Sequence, residues 1–502
     1  MSTRVAITIG LLLYAVLMLM VSLFWMARVR RAADYLVAGR GLPVWVLIGT
    51  IVGTCIGTGV IIGGSGLAYR HGWAGCAYPI GLGLGTAFAG FAFAGMRRYQ
   101  FMTLSEEVAC YYGGHRAVVE FTNITLFLSQ LCWLTVQIMG GAAVLVAVTG
   151  LPHNICTVLS GFIKAMISIP GGLKSVVYTD VLQTIILFCG FGFLTYSALA
   201  SSGGLAGLHQ GVPVEYFSFL GIDSLGGGKV LSLLLALVLG VIADPGRRLT
   251  MYSARTESGA KWSMVASGVI VMLFSVVIGI TGIYTFHLNP KLSGQDDTLP
   301  WLVAKVLPPW LAGFVVVSVF SGMSSAANAC ATAAGTFFVR HIYPLATGRY
   351  PRNAVTAVRW ALVCAFILST TLGLYTGTIV DFVLSFLPMT MSGLAVIIVV
   401  GRFWRRTTWQ GGLAALVTTP LVSLTIKLGH FQTGLWNDPV ILATAAGFLA
   451  HFVVSSMTPR TVRTFEEVAQ AMTNERRAIE GDSVERAAAA IPAVCQDDLE
   501  PT

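Results

Sequence analysis

Apolar blocks too long for an ordinary core helix recur along most of this chain. The first, residues 5–27, contains no charged side chain. It exceeds the roughly 20 residues that an α-helix needs to cross a bilayer. In hydrocarbon each backbone N–H and C=O must find its partner inside the segment, so repeated blocks of this kind dictate helices. About thirteen can be drawn by length and apolarity: 5–27, 44–69, 76–95, 117–149, 154–170, 176–199, 229–252, 262–287, 309–339, 354–377, 380–401, 408–427 and 438–456. The composition agrees, with 55% hydrophobic and 11% charged residues, against about 25% charged in a soluble protein. The chain therefore reads as an all-α polytopic membrane protein whose surroundings are a lipid bilayer.

The first block is too long for a signal-peptide core, and its positive charges follow it. It is expected to be a retained helix, with no cleavable targeting segment and no soluble domain. A net charge of +9 could suggest a nucleic-acid partner. The cations are instead scattered among short loops, so they report topology and no nucleic acid is expected. With the N-terminus outside, the inner loops collect Arg28, Arg30, Arg31 and Arg40, then Arg97, Arg98 and Arg116, and later Arg402, Arg405 and Arg406. The outer side keeps Arg4, Arg70, Lys229, Lys291, Lys305 and Lys427. This asymmetry predicts an odd number of spans in the plasma (inner) membrane, with a cytoplasmic C-terminus. The polar stretch 457–502, helical only in part of its pattern, reads as a cytoplasmic tail. Nothing in the residues defines an oligomeric state.

The nine cysteines form no CxxC pair and the eight histidines show no metal spacing. Free thiols packed as small hydrophobes are expected. Asn123 begins a glycosylation acceptor pattern, but at a membrane entrance, where it carries little weight.

Two spans are interrupted. The second reads TIVGTCIGTG over 50–59, and a helical glycine costs about 1 kcal/mol relative to alanine. Gly53 and Gly57 could form a close-packing face. Alternatively the helix unwinds there, and its freed carbonyls can hold an ion. The seventh span reads LGVIADPGRR over 239–248, and its Pro-Gly pair should end or break the helix. Broken helices five spans apart are the placement expected of an inverted-repeat transporter.

Buried charges need a partner or a task. Asp180 lies just inside the sixth span, as a helix-end carboxylate or a functional one. Asp244 sits at the seventh-span break, either paired with Arg247 or Arg248 or facing a solute. Lys164, mid-span, either snorkels, forms a buried pair or has a task of its own. In the ninth span Ser321, Ser324 and Ser325 share one helical face by their i, i+3 and i+4 spacing. Small hydroxyl residues allow tight helix packing, and they also supply the oxygen ligands that hard cations prefer. Trp133 and Gln137 share a face of the fourth span, lining a solute pocket or joining helices.

Four stretches resemble the sodium/solute symporter family: DYLVAGRGLP at 34–43, GLAY at 66–69 with Gly72 after it, GGLKSVVYTDVLQ at 171–183, and Met323-Ser324-Ser325 followed by Arg340, His341, Ile342 and Tyr343. The resemblance implies a leucine-transporter-like core of two inverted five-helix repeats. The chain would then divide into a first helix and inner linker at 1–43, repeats at 44–199 and 200–401, two further helices at 402–456 and the tail at 457–502. It also implies a sodium site, with backbone ligands at Gly53 and Ile56, Ser321 before the Met-Ser-Ser motif, hydroxyl ligands at Ser324 and Ser325, and Asp180 nearby. Cys55 departs from the family by standing where a proline transporter has a carboxylate. Arg247 and Arg248 stand where the family more often places Gln-Arg further along. Lys164 is also unusual, and a buried ammonium can stand in for a metal cation.

The expected function is sodium-coupled symport of a small organic solute by alternating access, with solute contacts from Thr54, Cys55, Trp133, Gln137 and Asp244. No catalytic residue and no cofactor beyond the coupling ion is expected. Proton-coupled or ion-independent transport is the alternative, followed by a transporter-like membrane solute sensor.

Overall fold

The computed structural model describes residues 3–27, 38–170, 172–292, 294–375, 379–429, 439–459 and 463–480. Arg28, Arg30, Arg31, residues 34–37, Gly171, Arg460, Cys495 and the end of the tail lie outside the described residues.

A helix of 24 residues, α1 (Thr3–Met26), opens the chain. Next, α2 (Val44–Cys55) stops at Ile56, whose φ of −92° and ψ of 62° leave the helical region. The chain re-enters through a π-helical turn at Gly59–Gly64 and α3 (Ser65–His71). Then come α4 (Ala77–Phe93), the short α5 (Leu104–Tyr111), α6 (Arg116–Thr149), α7 (His153–Ser168) and α8 (Gly172–Ser202). A second interrupted helix follows, α9 (Gly227–Ile242) and α10 (Pro245–Tyr252), bent by 46°. The rest is α11 (Glu257–Leu288), α12 (Pro309–Phe337), α13 (Ala354–Tyr375), α14 (Ile379–Phe403), α15 (Trp409–Leu428), α16 (Pro439–Met457) and the polar α17 (Phe465–Glu480).

Nine of the described helices are long and apolar enough to cross a membrane, ten with the bent pair α9–α10. The expected figure was about thirteen. With 12 and 16 residues, α2 and α7 fall below that length: the first is cut short by its break, and the second is a short helix packed against α6, α12 and α13.

The buried centre is built on α12, which packs against α1, α2, α6, α8 and α13. Residues 318–328 of this helix are buried without exception, so its serines and Asn328 face protein instead of lipid. The lipid-like face belongs to side chains such as Leu12, Leu13, Phe162 and Leu273, each more than half exposed. Among the described residues the one β-type pairing is Leu42 with Ala254. It ties the entry of α2 to the end of α10 through Leu42 N–H to Ser253 C=O and Arg255 N–H to Leu42 C=O, both 3.2 Å.

The tail is more than a polar extension. Val468, Ala469 and Met472 of α17 are buried, and the helix rests on α5.

Candidate functional site

The break after α2 lies against the serine face of α12. A Cβ at Gly53 would come within 2.7 Å of Ser325 Oγ, and one at Gly322 within 2.6 Å of the Ile56 carbonyl oxygen. Glycine at these two positions is what lets the unwound segment and the helix approach so closely. Within the break, Thr58 N–H leaves the helical ladder and donates to Gln137 Oε1 at 2.9 Å.

The hydroxyls of Ser321, Ser324 and Ser325 are fully buried, and none completes a hydrogen bond of good geometry among the described residues, with Tyr14 beside the first two and Asp180 beside Ser325. Asp180 Oδ2 and Gln183 Oε1 are in the same condition. Buried polar atoms are nearly always paired, so such a group asks for an explanation. The chemistry of the set is uniform: hydroxyl, carboxylate and amide oxygens, beside the Ile56 carbonyl. A hard cation takes oxygen ligands, and broken-helix carbonyls are a recurrent source of them. The residues present therefore fit a sodium ion.

Asp180 is held from its other side, where Asn328 Nδ2 donates to Oδ1 at 3.5 Å while Ser168 donates to Asn328 Oδ1. Tyr14 of α1 accepts from Gln183 Nε2 at 2.7 Å, and its hydroxyl neighbours Ser321 and Ser324. Thus α1, which lies outside the expected repeats, closes one side of the cluster.

Lys164 neither snorkels nor forms an ion pair among the described residues. It is fully buried, donating to Ser160 Oγ at 2.7 Å with its ammonium 4.2 Å from the Phe320 ring centroid.

On the other side of the α2 break lies a pocket of about 670 Å³, including its open mouth. Thr54, Cys55, Trp133, Gln137 and Asp244 all line it, so the structure brings together the five residues singled out from sequence. Arg247 lines it as well. Asp244 caps α10, accepting from Gly246 N–H at 2.8 Å, and pairs with Arg247 at 2.8 Å. Tyr78 and Leu82 of α4 complete an aromatic and aliphatic wall.

Sequence reasoning passed over a third cluster. Glu106 and Glu107 on α5 are both buried. Glu106 pairs with Arg340 at 2.8 Å, and Glu107 with Arg248 at 3.2 Å. Adjacent acids between apolar spans were the available signal, but their partners lie 234 and 141 residues away.

A bundle with two interrupted helices, an oxygen-lined niche at one break and a pocket between both is the architecture of a secondary transporter. The sodium:solute symporter family model matches residues 35–419, and the chain belongs to that family. Its activity is sodium-coupled secondary transport of a small solute, with sodium as the coupling ion, in a multi-pass membrane protein. The sodium/pantothenate symporter of Escherichia coli is 23% identical over 434 residues, covering 84% of this chain and 89% of the relative. The sodium/glucose cotransporter of Vibrio parahaemolyticus is 22% identical over 457 residues, covering 80% and 82%. The fold is like that of a Na+-coupled sialic acid symporter solved in a substrate-bound outward-open state, with a TM-score of 0.76, 14% identity and coverage of 92% and 99%. The leucine-transporter-like fold implied by the sequence resemblance is thereby met.

Proposed function

We propose that sodium binds at the α2 break, held by Gly53 and Ile56 carbonyls and by the hydroxyls of Ser321, Ser324 and Ser325, with Asp180 close by, and that the solute binds in the pocket across the break. The three buried serine hydroxyls, none of which completes a hydrogen bond of good geometry among the described residues, carry this reading. Sodium would join α2 to α12, so it favours the arrangement in which those helices touch. A ligand shifts a conformational equilibrium only by its differential affinity for the two states. The outward-open state would form the ion site, the solute would bind beside it through Thr54, Cys55, Trp133, Gln137 and Asp244, and the pair would be released inward.

The remaining topology belongs to this reading: about thirteen spans, two inverted repeats at 44–199 and 200–401, the N-terminus outside and the C-terminus in the cytoplasm of a cell bounded by the plasma (inner) membrane. The cation asymmetry of the loops supports that orientation. It places α5, with the Glu106 and Glu107 ion pairs, on the inner side, where they would close the inward path. A potential of 100 mV contributes about 2.3 kcal/mol per charge moved, enough for roughly fiftyfold accumulation.

The test is uptake into proteoliposomes. A panel of radiolabelled acids, amino acids, sugars and amines is offered with an inward sodium gradient or an equal potassium gradient. Accumulation of one solute class only with sodium is the expected result. Binding without accumulation would mark a sensor, and sodium-independent uptake abolished by a protonophore would mark proton coupling through Lys164.

A further inference from the structure

Resting on the pocket being the solute site, we propose that the transported solute carries a carboxylate and that Arg247 binds it. The pocket has two charged residues among those lining it, Asp244 and Arg247. Asp244 is already engaged. Its Oδ1 accepts from the N–H groups of Gly246 at 2.8 Å and Arg247 at 3.4 Å, and its Oδ2 takes Arg247 Nη1 at 2.8 Å. Arg247 is not used up in return. A guanidinium has five N–H donors, and the ion pair occupies Nη1. Its Nε is buried and makes no hydrogen bond among the described residues.

Gln137 adds a donor to the same pocket. Thr58 N–H can only donate, so the oxygen of the Gln137 amide must face it, as it does at 2.9 Å. The amide nitrogen is thereby turned the other way. Arg247 and Gln137 therefore each leave donors unspent at the polar end of this pocket. An ionised carboxylate is acceptor-only, and its planar pair of oxygens matches the guanidinium fork. An amine or quaternary ammonium would meet an acid that already holds two N–H groups and the Arg247 guanidinium, leaving it about one acceptor site.

The charge arithmetic agrees. Asp244 and Arg247 cancel, so a carboxylate enters as one net negative charge. The coupling ion supplies the opposite charge across the break, where Thr54 and Cys55 line the pocket and Gly53 and Ile56 adjoin the serine face. Solute and ion each lower the electrostatic cost of the other.

The experiment measures thermal stability of the purified full chain in sodium chloride with matched probes. Lactate, phenylacetate and pantothenate are compared with lactamide, phenylacetamide and panthenol, with choline and myo-inositol as controls. At least one acid should stabilise the protein more than its uncharged counterpart and more than either control. Arg247→Gln should weaken that acid by about ten- to hundredfold, the loss of a hydrogen bond to a charged group, and erase the preference. Arg247→Lys should restore part of it, because the charge returns without the planar fork. Since Arg247→Gln leaves Asp244 alone, D244N/R247Q removes both charges and should lose the preference while remaining folded. A panel in which no acid exceeds its counterpart overturns the proposal, as does an acid preference that survives in D244N/R247Q. The sodium-induced shift, read on the same wild-type samples against potassium, separates the two ideas: its presence without acid preference sinks the carboxylate alone, and its absence sinks the sodium-site reading.

Discussion

Arg248 donates to both carboxylate oxygens of Glu107, at 3.3 and 3.2 Å, where neither side chain is reached by solvent. Arg248 also lies 3.7 Å from the Phe93 ring centroid, and Tyr111 donates to Glu107 Oε1 at 2.8 Å. The pair fastens α10, the second half of a broken helix, to the short α5. Breaking a buried pair by removing one partner costs about 3–5 kcal/mol, because the other charge stays buried. Replacing both by apolar residues costs far less. Glu107→Gln should therefore lower the melting temperature sharply, and E107L/R248M should recover much of it. If the pair closes the inward path, the double variant folds but transports poorly. Melting temperature and uptake measured together check this.

Gly322→Ala tests the close approach of α12 to the α2 break. Its Cβ would sit 2.6 Å from the Ile56 carbonyl oxygen, which is backbone and cannot rotate aside. The expected result is at least a tenfold loss of sodium affinity, since a displacement of 1.4 kcal/mol suffices for that factor. Isothermal titration with sodium chloride reads it directly, and unchanged affinity would separate the break from the ion site.

Lys164 is a buried ammonium with a hydroxyl and a ring as its neighbours. An uncompensated buried charge is costly, so Lys164→Met, of similar length, should hold or raise the melting temperature. Uptake should stay sodium-dependent. A folded variant that loses uptake would instead give Lys164 a task in transport.

The tail helix can be loosened at one ring. Phe465 lies 4.9 Å from the Tyr99 ring centroid and 5.6 Å from that of Tyr111. Aromatic pairs contribute about 0.5–1.5 kcal/mol each beyond burial. Phe465→Ala should undock α17 from α5 and speed its removal by trypsin, with the remaining chain still folded. Cleavage at the wild-type rate would show that Val468 and Met472 suffice to hold it.

How much of this was legible in the sequence depended on the range of the interaction. Helices were readable because apolar length and glycine or proline breaks are local properties, and both interruptions fall where Gly53 to Gly57 and Asp244 to Gly246 placed them. The serine face followed from helical spacing alone. Pairings across the bundle were not readable. Arg247 was weighed as a partner for Asp244 but not as a pocket residue, because its position depends on a bend of 46°. Glu106 and Glu107 gave no sign of their arginines. Tyr14 escaped notice because α1 looks like a plain apolar span, whereas its hydroxyl reaches Gln183 beside the ion niche. The stretches read as the second and fifth spans hold helices of 12 and 16 residues, α2 and α7, because a break shortens the first and the second packs closely against its neighbours.

The three serine hydroxyls are the core of the proposed ion site. Binding of radioactive sodium to the purified protein, measured by scintillation proximity with potassium as competitor, should be saturable in the wild type and insensitive to potassium. In S324A/S325A, with Ser321 and the fold intact by melting temperature, it should fall at least tenfold. Sodium binding of undiminished affinity in that double variant would contradict the assignment of the ion to the break of α2.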